Sequence, residues 1–389
     1  MKIGLMTTPT RPVPPKEQSI HAPKYMIADL ANGLVDKGHT VYLFAPKGSE
    51  TKAVLCDFGI VPTGKLKDTL PANLYEKKVH EDEAMLFQKM VAFGTETHID
   101  VYHLHQSLFM QPLIASAPKK CPFIITLHDP VTGKYEEALR HLSLFPNVWF
   151  VSITNAQRAG SPARFIDTVP HGTRMDIFPY ASTSRGYVAV MGRIIPEKGQ
   201  DDAIAAVQKT HDTLYLIGEK YVDNARNRTY WEHDIAPYID NSVIKYLSVM
   251  PRSELHIYYQ GAKALLMPIK WEEPFGLVMI EAMACGTPVI AYNRGSVPEI
   301  VRDGVTGFII DPDPSAPIQS GSADGADRPG YGTWIIKKQG IDGLVEAIGR
   351  IGEIDRMACR RHVEDHFTIE KMVDGYERVY RKILSDSSH

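Results

Sequence analysis

Long apolar runs, paired cysteines and blocks of like charge are what this chain has least of, and each shortage removes a class of protein. No segment approaches the roughly 20 consecutive apolar residues needed to cross a bilayer. The opening "MKIGLMTTPTRP" is too short an apolar run for a secretion signal, so neither export nor stable membrane insertion is expected and the cytoplasm is the expected location. The cysteines, Cys56, Cys121, Cys285 and Cys359, lie far apart with no CxxC spacing. That spacing indicates no zinc motif and no disulfide framework, and reduced thiols are the expectation. A formal charge of −3, without a long run of Lys or Arg, gives no electrostatic case for nucleic acid as a partner. No GxGxxG follows either candidate first strand and no Walker loop is present, which argues against a nicotinamide dehydrogenase or an ATPase.

What is present is ordinary globular material in two similar halves. At 389 residues the chain exceeds the size at which one core stops growing, so two domains are expected. The first half opens with the strand-like "KIGLM", a Pro-rich loop, and a helical pattern in which Ile27, Leu30, Ala31, Leu34 and Val35 share a face. Gly38 ends that helix and Val41 to Phe44 begins a second strand. Short apolar runs in "DVYHLH", "PFIITLHD" and "VWFVSIT" follow, each ending in polar residues, as for parallel strands whose carboxyl ends open onto a ligand crevice. The polar stretch "FPYASTSRG", Phe178 to Gly186, reads as a linker, after which strand, loop and helix restart at Tyr187. The pattern predicts α/β architecture with two doubly wound, Rossmann-like domains, 1–178 and 186–367, and a cleft between them. Asp311 to Gly332 reads as a Pro/Gly/Ser/Asp-rich loop, and Asp311 and Asp313 within it as turn residues rather than a DxD metal site.

Two stretches carry chemistry. After the strand Tyr187 to Met191 come Gly192, Arg193, Glu197, Lys198 and Gly199, directly before a helix starting near Gln200. Unpaired N–H groups at a helix start, joined by two cations, would make a cradle for a diphosphate. In "KWEEPFGLVMIEAMACGTPVIAY", Pro274 is expected to hold Glu273 out of helical geometry so that its carboxylate projects from the loop. The N–H groups of Phe275, Gly276 and Leu277 would open the next helix. That helix is apolar almost all round and must be buried, so Glu281 on it needs a partner. Glu273 and Glu281 stand on the order of 10 Å apart by helix rise. Two acceptors flanking a phosphate site suit a nucleotide sugar; the plainer alternative pairs Glu281 with a structural Arg and leaves Glu273 solvated. Cys285, a small thiol in an apolar helix, is expected to be inert.

The spacing Glu273, seven residues, Glu281, with "GRIIPEKG", "GSVPEIVRDGVTGFII", "KGHTV", "ITLHD" and the closing "YERVY" helix, resembles the retaining glycosyltransferases of family 4, which have the GT-B fold. The resemblance spans nearly the whole chain. It implies transfer of a sugar from a nucleoside diphosphate sugar to an acceptor hydroxyl on a glycan, lipid or small molecule, with no metal and no other cofactor. By the resemblance Glu281 would bind ribose, Glu273 the transferred sugar, and Arg193 and Lys198 the diphosphate. Gly218 would abut the nucleotide, Met250 the base, and His128 the donor sugar. The final helix, about 368–384, would pack back on the first domain.

His103 and His105 are expected on opposite faces of their strand, one of them in the core, with His105 the acceptor-side candidate. His171 reads as a turn residue. One departure is that His21 and Ala22 stand where the family carries a Gly-Gly pair, which leaves three readings: a loop of another conformation, His21 itself as a phosphate ligand, or a degraded side of the site. With no carboxylate nucleophile placed, the implied reaction is a same-face displacement in which the leaving phosphate helps accept the acceptor's proton. Two rivals are a nucleotide-sugar epimerase, which needs no acceptor, and a sugar-nucleotide binding module without turnover.

Overall fold

The computed structural model describes residues 1–15, 21–105, 110–131, 134–161, 163–315 and 330–386. Most of the loop 311–332, and residues 16–20 of the loop before His21, lie outside these. The chain folds into two compact units, the first reaching His171 and reclaiming the chain from Ile369, the second running from Gly172 to Thr368.

The first unit is built on a parallel sheet of seven strands: β1 (Lys2–Thr7), β2 (Thr40–Phe44), β3 (Val54–Leu55), β4 (Val101–His105), β5 (Phe123–Thr126), β6 (Val148–Ser152) and β7 (Phe165–Thr168). Their order is β3-β2-β1-β4-β5-β6-β7. Alternation along β1 sends Ile3 and Leu5 to one face and Met6 to the other. On the first face the helices Ala22–Asp36 and Ile369–Asp386 close the core, with Ile27, Leu30 and Leu34 meeting Val373, Tyr376 and Tyr380. Both tyrosines are fully buried, and an aromatic ring so placed contributes about 2–3 kcal/mol. Leu86, Phe87 and Met90 of the helix Ala72–Thr97 cover the opposite face. The order reverses direction between β1 and β4, where Thr7 pairs in register with His105. In an open parallel sheet the crevice beyond the carboxyl ends at such a reversal is where ligands bind.

The second unit repeats the plan with six parallel strands, β8 (Tyr187–Met191), β9 (Leu214–Ile217), β10 (Ile244–Leu247), β11 (Ala262–Met267), β12 (Val289–Tyr292) and β13 (Gly307–Ile310), ordered β10-β9-β8-β11-β12-β13. Its reversal lies between β8 and β11. The stretch Phe178 to Gly186, which composition marks as a linker, is docked onto this unit. Phe178 is fully buried against Tyr259, and the Ala181 N–H donates to the Cys285 carbonyl. The unit therefore begins ahead of the polar stretch.

At the reversal the backbones of two loops touch. Gly199 has φ +67°, and a Cβ there would lie 1.9 Å from the Pro268 carbonyl oxygen just past β11. Gly199→Ala is expected to destabilise the second unit by about 2 kcal/mol or more, since the backbone conformation and the contact both resist a side chain. Urea denaturation of the full chain checks this, and an unchanged midpoint would contradict it.

Candidate active site

The carboxyl ends of β8 and β11 bring Lys198 to Glu273. Lys198 ends the turn Pro196–Lys198, and its Nζ donates to Glu273 Oε2 at 2.5 Å. The Trp271 indole N–H donates to the same oxygen at 3.1 Å, and the Lys198 ammonium lies 5.0 Å from the Trp271 ring centre. Glu273 is not the solvated carboxylate of the plainer alternative, because it is only 8% exposed and held between a cation and an indole. Its backbone is pinned too: the Ser296 N–H donates to the Glu273 carbonyl at 2.9 Å, and the Ser296 hydroxyl donates to the Phe275 carbonyl at 2.7 Å. Phe275 is buried. Gly276, in the left-handed conformation, turns the chain into the helix Leu277–Ala284, whose start no side chain caps. The first N–H groups of a helix lie beyond reach of any acceptor within it, so this end suits an anion.

The cradle expected at Gln200 is filled from within. The helix Gln200–Thr210 carries Asp201 and Asp202 in its first turn, and Lys270 bridges them at 2.5 and 2.8 Å. The Asp201 N–H donates to the Tyr230 hydroxyl, and the Asp202 N–H to the Gly199 carbonyl. The helix start at Gln200 is thus engaged by the chain's own groups. Arg193 turns to a different neighbour from Lys198, its guanidinium lying 5.4 Å from the Tyr221 ring centre.

Glu281 has the partner its burial demands. It is 5% exposed, and Oε1 accepts from Arg252 Nε and Nη2 at 3.1 Å each while Oε2 accepts from the Tyr259 hydroxyl at 3.0 Å. The structural Arg of the plainer reading exists for this residue. Met250 is half-buried in the loop after β10, two residues ahead of Arg252. Gly218 follows β9 directly, where a Cβ would lie 2.0 Å from the Gly192 carbonyl oxygen. Burial pushes the Cys285 thiol up to about 12, with Glu281 adding to the shift, in keeping with an inert thiol. Asp311 is more than a turn residue: it is buried and accepts from Asn293 Nδ2, the Gly332 N–H and the Trp334 indole.

In the first unit, residues from several loops line a cavity of about 270 Å³ at the β1/β4 reversal: Thr7, Thr8, His21, Lys24, His105 and His128 among them. Residues two apart in a strand share a face, so His103 and His105 lie on the same side of β4 with ring centres 4.1 Å apart, not on opposite sides. Their stack continues through His128, 5.3 Å from His105, to His171, 5.4 Å further on. His171 is therefore a buried member of this row rather than a simple turn residue. His103 is core, bonded to Tyr380 at 2.7 Å and Thr126 at 2.8 Å. Burial holds His103 down at about 3 and His128 at about 4, and His105 and His171 well below the usual imidazole value, so the row is neutral. His21 sits at the start of the helix Ala22–Asp36, where Ala22 is already helical and exposed.

Sequence reasoning passed over Lys24, which is 4% exposed and donates to Thr7 Oγ1 at 2.8 Å and the Thr8 carbonyl at 2.5 Å. Its signal was readable, since Lys24 falls at helical spacing from Ile27, Ala31 and Leu34 on the apolar stripe. Arg252, Tyr259 and Trp271 carry no comparable signal. Among the described residues no group of His, Cys, Asp or Glu could hold a metal ion, and no helix is long and apolar enough to cross a membrane.

Residues 25–160 match the family model described as Glycosyltransferase Family 4, and residues 177–319 match the one described as Glycosyl transferases group 1. A putative glycosyltransferase of Bacillus subtilis, YtcC, is 24% identical over 72% of this chain and 72% of its own. The D-inositol 3-phosphate glycosyltransferase of Mycolicibacterium smegmatis is 32% identical over 41% of this chain and 38% of its own length. The chain spans 46% of an uncharacterized Klebsiella pneumoniae protein from a cps region, so it covers less than half of several curated relatives. The fold is similar to that of sucrose-phosphate synthase from Thermosynechococcus elongatus, with TM-score 0.71 at 19% identity over 99% of this chain and 100% of the other. It is also similar to that of Anabaena HepE in complex with UDP-glucose, with TM-score 0.67 at 16% identity over 98% and 100%.

Arg252→Met should cost about 3 kcal/mol or more of stability, because it strands the buried Glu281 carboxylate. Pairing it with Glu281→Gln should recover much of the loss, and a double-mutant cycle in urea reads the coupling.

Proposed function

The chain belongs to the glycosyltransferases of family 4 and group 1, and from that premise we propose that it transfers a glycosyl unit from a nucleoside diphosphate sugar to an acceptor hydroxyl with retention at the anomeric carbon. The observation that carries this reading is the Lys198–Glu273 pair set beside the uncapped start of the helix Leu277–Ala284. A cation from the loop after β8, with a carboxylate and free-ended helix N–H groups from the loop after β11, suits the two ends of one molecule, an anionic diphosphate and a hydroxylated sugar. Neighbours of the same fold that hold UDP or UDP-glucose support a nucleotide sugar as donor.

In this reading Lys198 and Arg193 take up negative charge on the diphosphate, joined by the N–H groups at Gly276 and Leu277. Glu273 accepts from hydroxyls of the transferred sugar, oriented by Lys198 and Trp271. Glu281 binds ribose with the oxygen capacity that Arg252 and Tyr259 leave it, since a carboxylate offers about four acceptor positions. Gly218 gives the nucleotide close access to backbone, Met250 lies on the base side, and His128 contacts the sugar. The bond from the anomeric carbon to the phosphate oxygen breaks as the acceptor oxygen bonds the same face, and the acceptor's proton passes to the leaving phosphate. Catalysis then rests on positioning and on charge that meets the departing diphosphate, with the protein's cations in place of a metal.

Lys198→Ala and Glu273→Gln are each expected to lower kcat by about 10²–10³-fold, with a thermal midpoint within a few degrees of wild type. Turnover at the wild-type rate in either variant would sink the assignment. A thermal-shift panel of UDP, GDP and ADP sugars should single out one base. With that donor, product release should depend on an acceptor, unlike an epimerase, and should persist in EDTA. Proton NMR of the first-formed product reads the anomeric configuration.

A further inference from the structure

Resting on the reading above, we propose that the cavity of the first unit is a dedicated anion site, and that it binds a phosphate or carboxylate carried by the acceptor. Three observations converge there. Lys24 is buried at the cavity wall, and among the described residues its ammonium donates to neutral oxygens alone, the Thr7 hydroxyl and the Thr8 carbonyl.

The second observation is the histidine pair. His105 Nδ1 and His128 Nε2 share one proton across 3.0 Å. The outer nitrogens, His105 Nε2 and His128 Nδ1, are buried and have no hydrogen-bond partner among the described residues. In the neutral pair, whichever ring donates to the other, one outer nitrogen carries an N–H with no acceptor. A buried donor left so is destabilising, and an anion's oxygen would relieve it. His105 is only 4% exposed and lines the cavity, so this is a built wall rather than a surface patch.

The third observation is charge. Facing Lys24 are Arg11 from the loop after β1, the buried Glu83 of the helix Ala72–Thr97 and the neutral imidazole of His105, beyond which His128 and His171 continue the row; His21, Asp129 and Tyr135 complete the titratable groups of the wall. Burial, opposed by Glu83 and reinforced by Arg11, brings the Lys24 ammonium down to about 7. An arriving anion stabilises the charged form of Lys24 and of the imidazoles. Binding therefore takes up protons, and affinity rises as pH falls through 7. The second unit has cations of its own in Lys198 and Arg193, which is why the first unit's site is assigned to the acceptor rather than to the donor diphosphate.

The test is NMR of the full chain with labelled histidine, titrated with inorganic phosphate at about pH 6 and about pH 8. The His105 and His128 ring signals, identified by His105→Gln and His128→Gln, should move saturably and at lower phosphate at the lower pH. Lys24→Met should weaken binding by about tenfold or more, and Thr7→Val serves if that variant does not fold. Lys198→Ala, which disables only the donor side, should leave the phosphate titration unchanged. Ring signals that stay still at every phosphate concentration in the folded wild type would overturn the proposal. So would one-for-one displacement of phosphate by a nucleoside diphosphate, since the anion would then be the donor's. Failure of donor binding with intact phosphate binding would count against the sugar-transfer reading alone.

Discussion

Two backbones in direct contact set where the second unit's charged side chains meet. Gly199 leaves no space for a side chain against the Pro268 carbonyl, and Gly218 leaves none against Gly192. Gly295 presses in the same way on the backbone of Glu273. With nothing between the loops, a lysine on one and a glutamate on the other meet at hydrogen-bond distance, held by strand ends rather than by flexible arms. A polar pair placed on rigid elements needs little reorganisation when charge develops beside it, and this is where electrostatic stabilisation is most effective.

The charged groups around that pair are already matched with one another. Arg252 holds Glu281, Lys270 holds Asp201 and Asp202, and Arg294 holds Glu272, whose carboxylate also accepts from the Gly295 N–H. Such pairing is expensive in desolvation and adds little net stability. Its effect is to fix where each carboxylate points.

The architecture was legible in the sequence because fully buried parallel strands read as continuous apolar runs and each was followed by a helical period. The restart at Tyr187 and the acidic pair at Glu273 and Glu281 were readable from order and spacing, whereas the return of the last helix followed only from the family resemblance. Partners were not. Arg252 and Tyr259 reach Glu281 from 29 and 22 residues away, a distance set by how helices pack and not by any local pattern. The occupancy of the helix start at Gln200 was hidden for the same reason, since Lys270 arrives from the end of β11. The histidines failed differently: their spacing of two does determine a shared face, and the structure restores that rule. Lys24 was readable as a cation on an apolar stripe, yet its two oxygen partners, Thr7 at the end of β1 and Thr8 just beyond it, lie at a strand end that no helical period points to.

The tail helix Ile369–Asp386 fills the first unit's core, with Tyr380 bonded to His103 and Tyr376 to Thr126. On a ribosome, the N-terminal sheet therefore emerges long before the segment that seals its face. That half must wait, with Ile27, Leu30 and Leu34 uncovered, until all of the following half has been synthesised. Translation order thus makes the earlier-made of the two units the last to finish, and gives chaperones an apolar surface to guard in the interval.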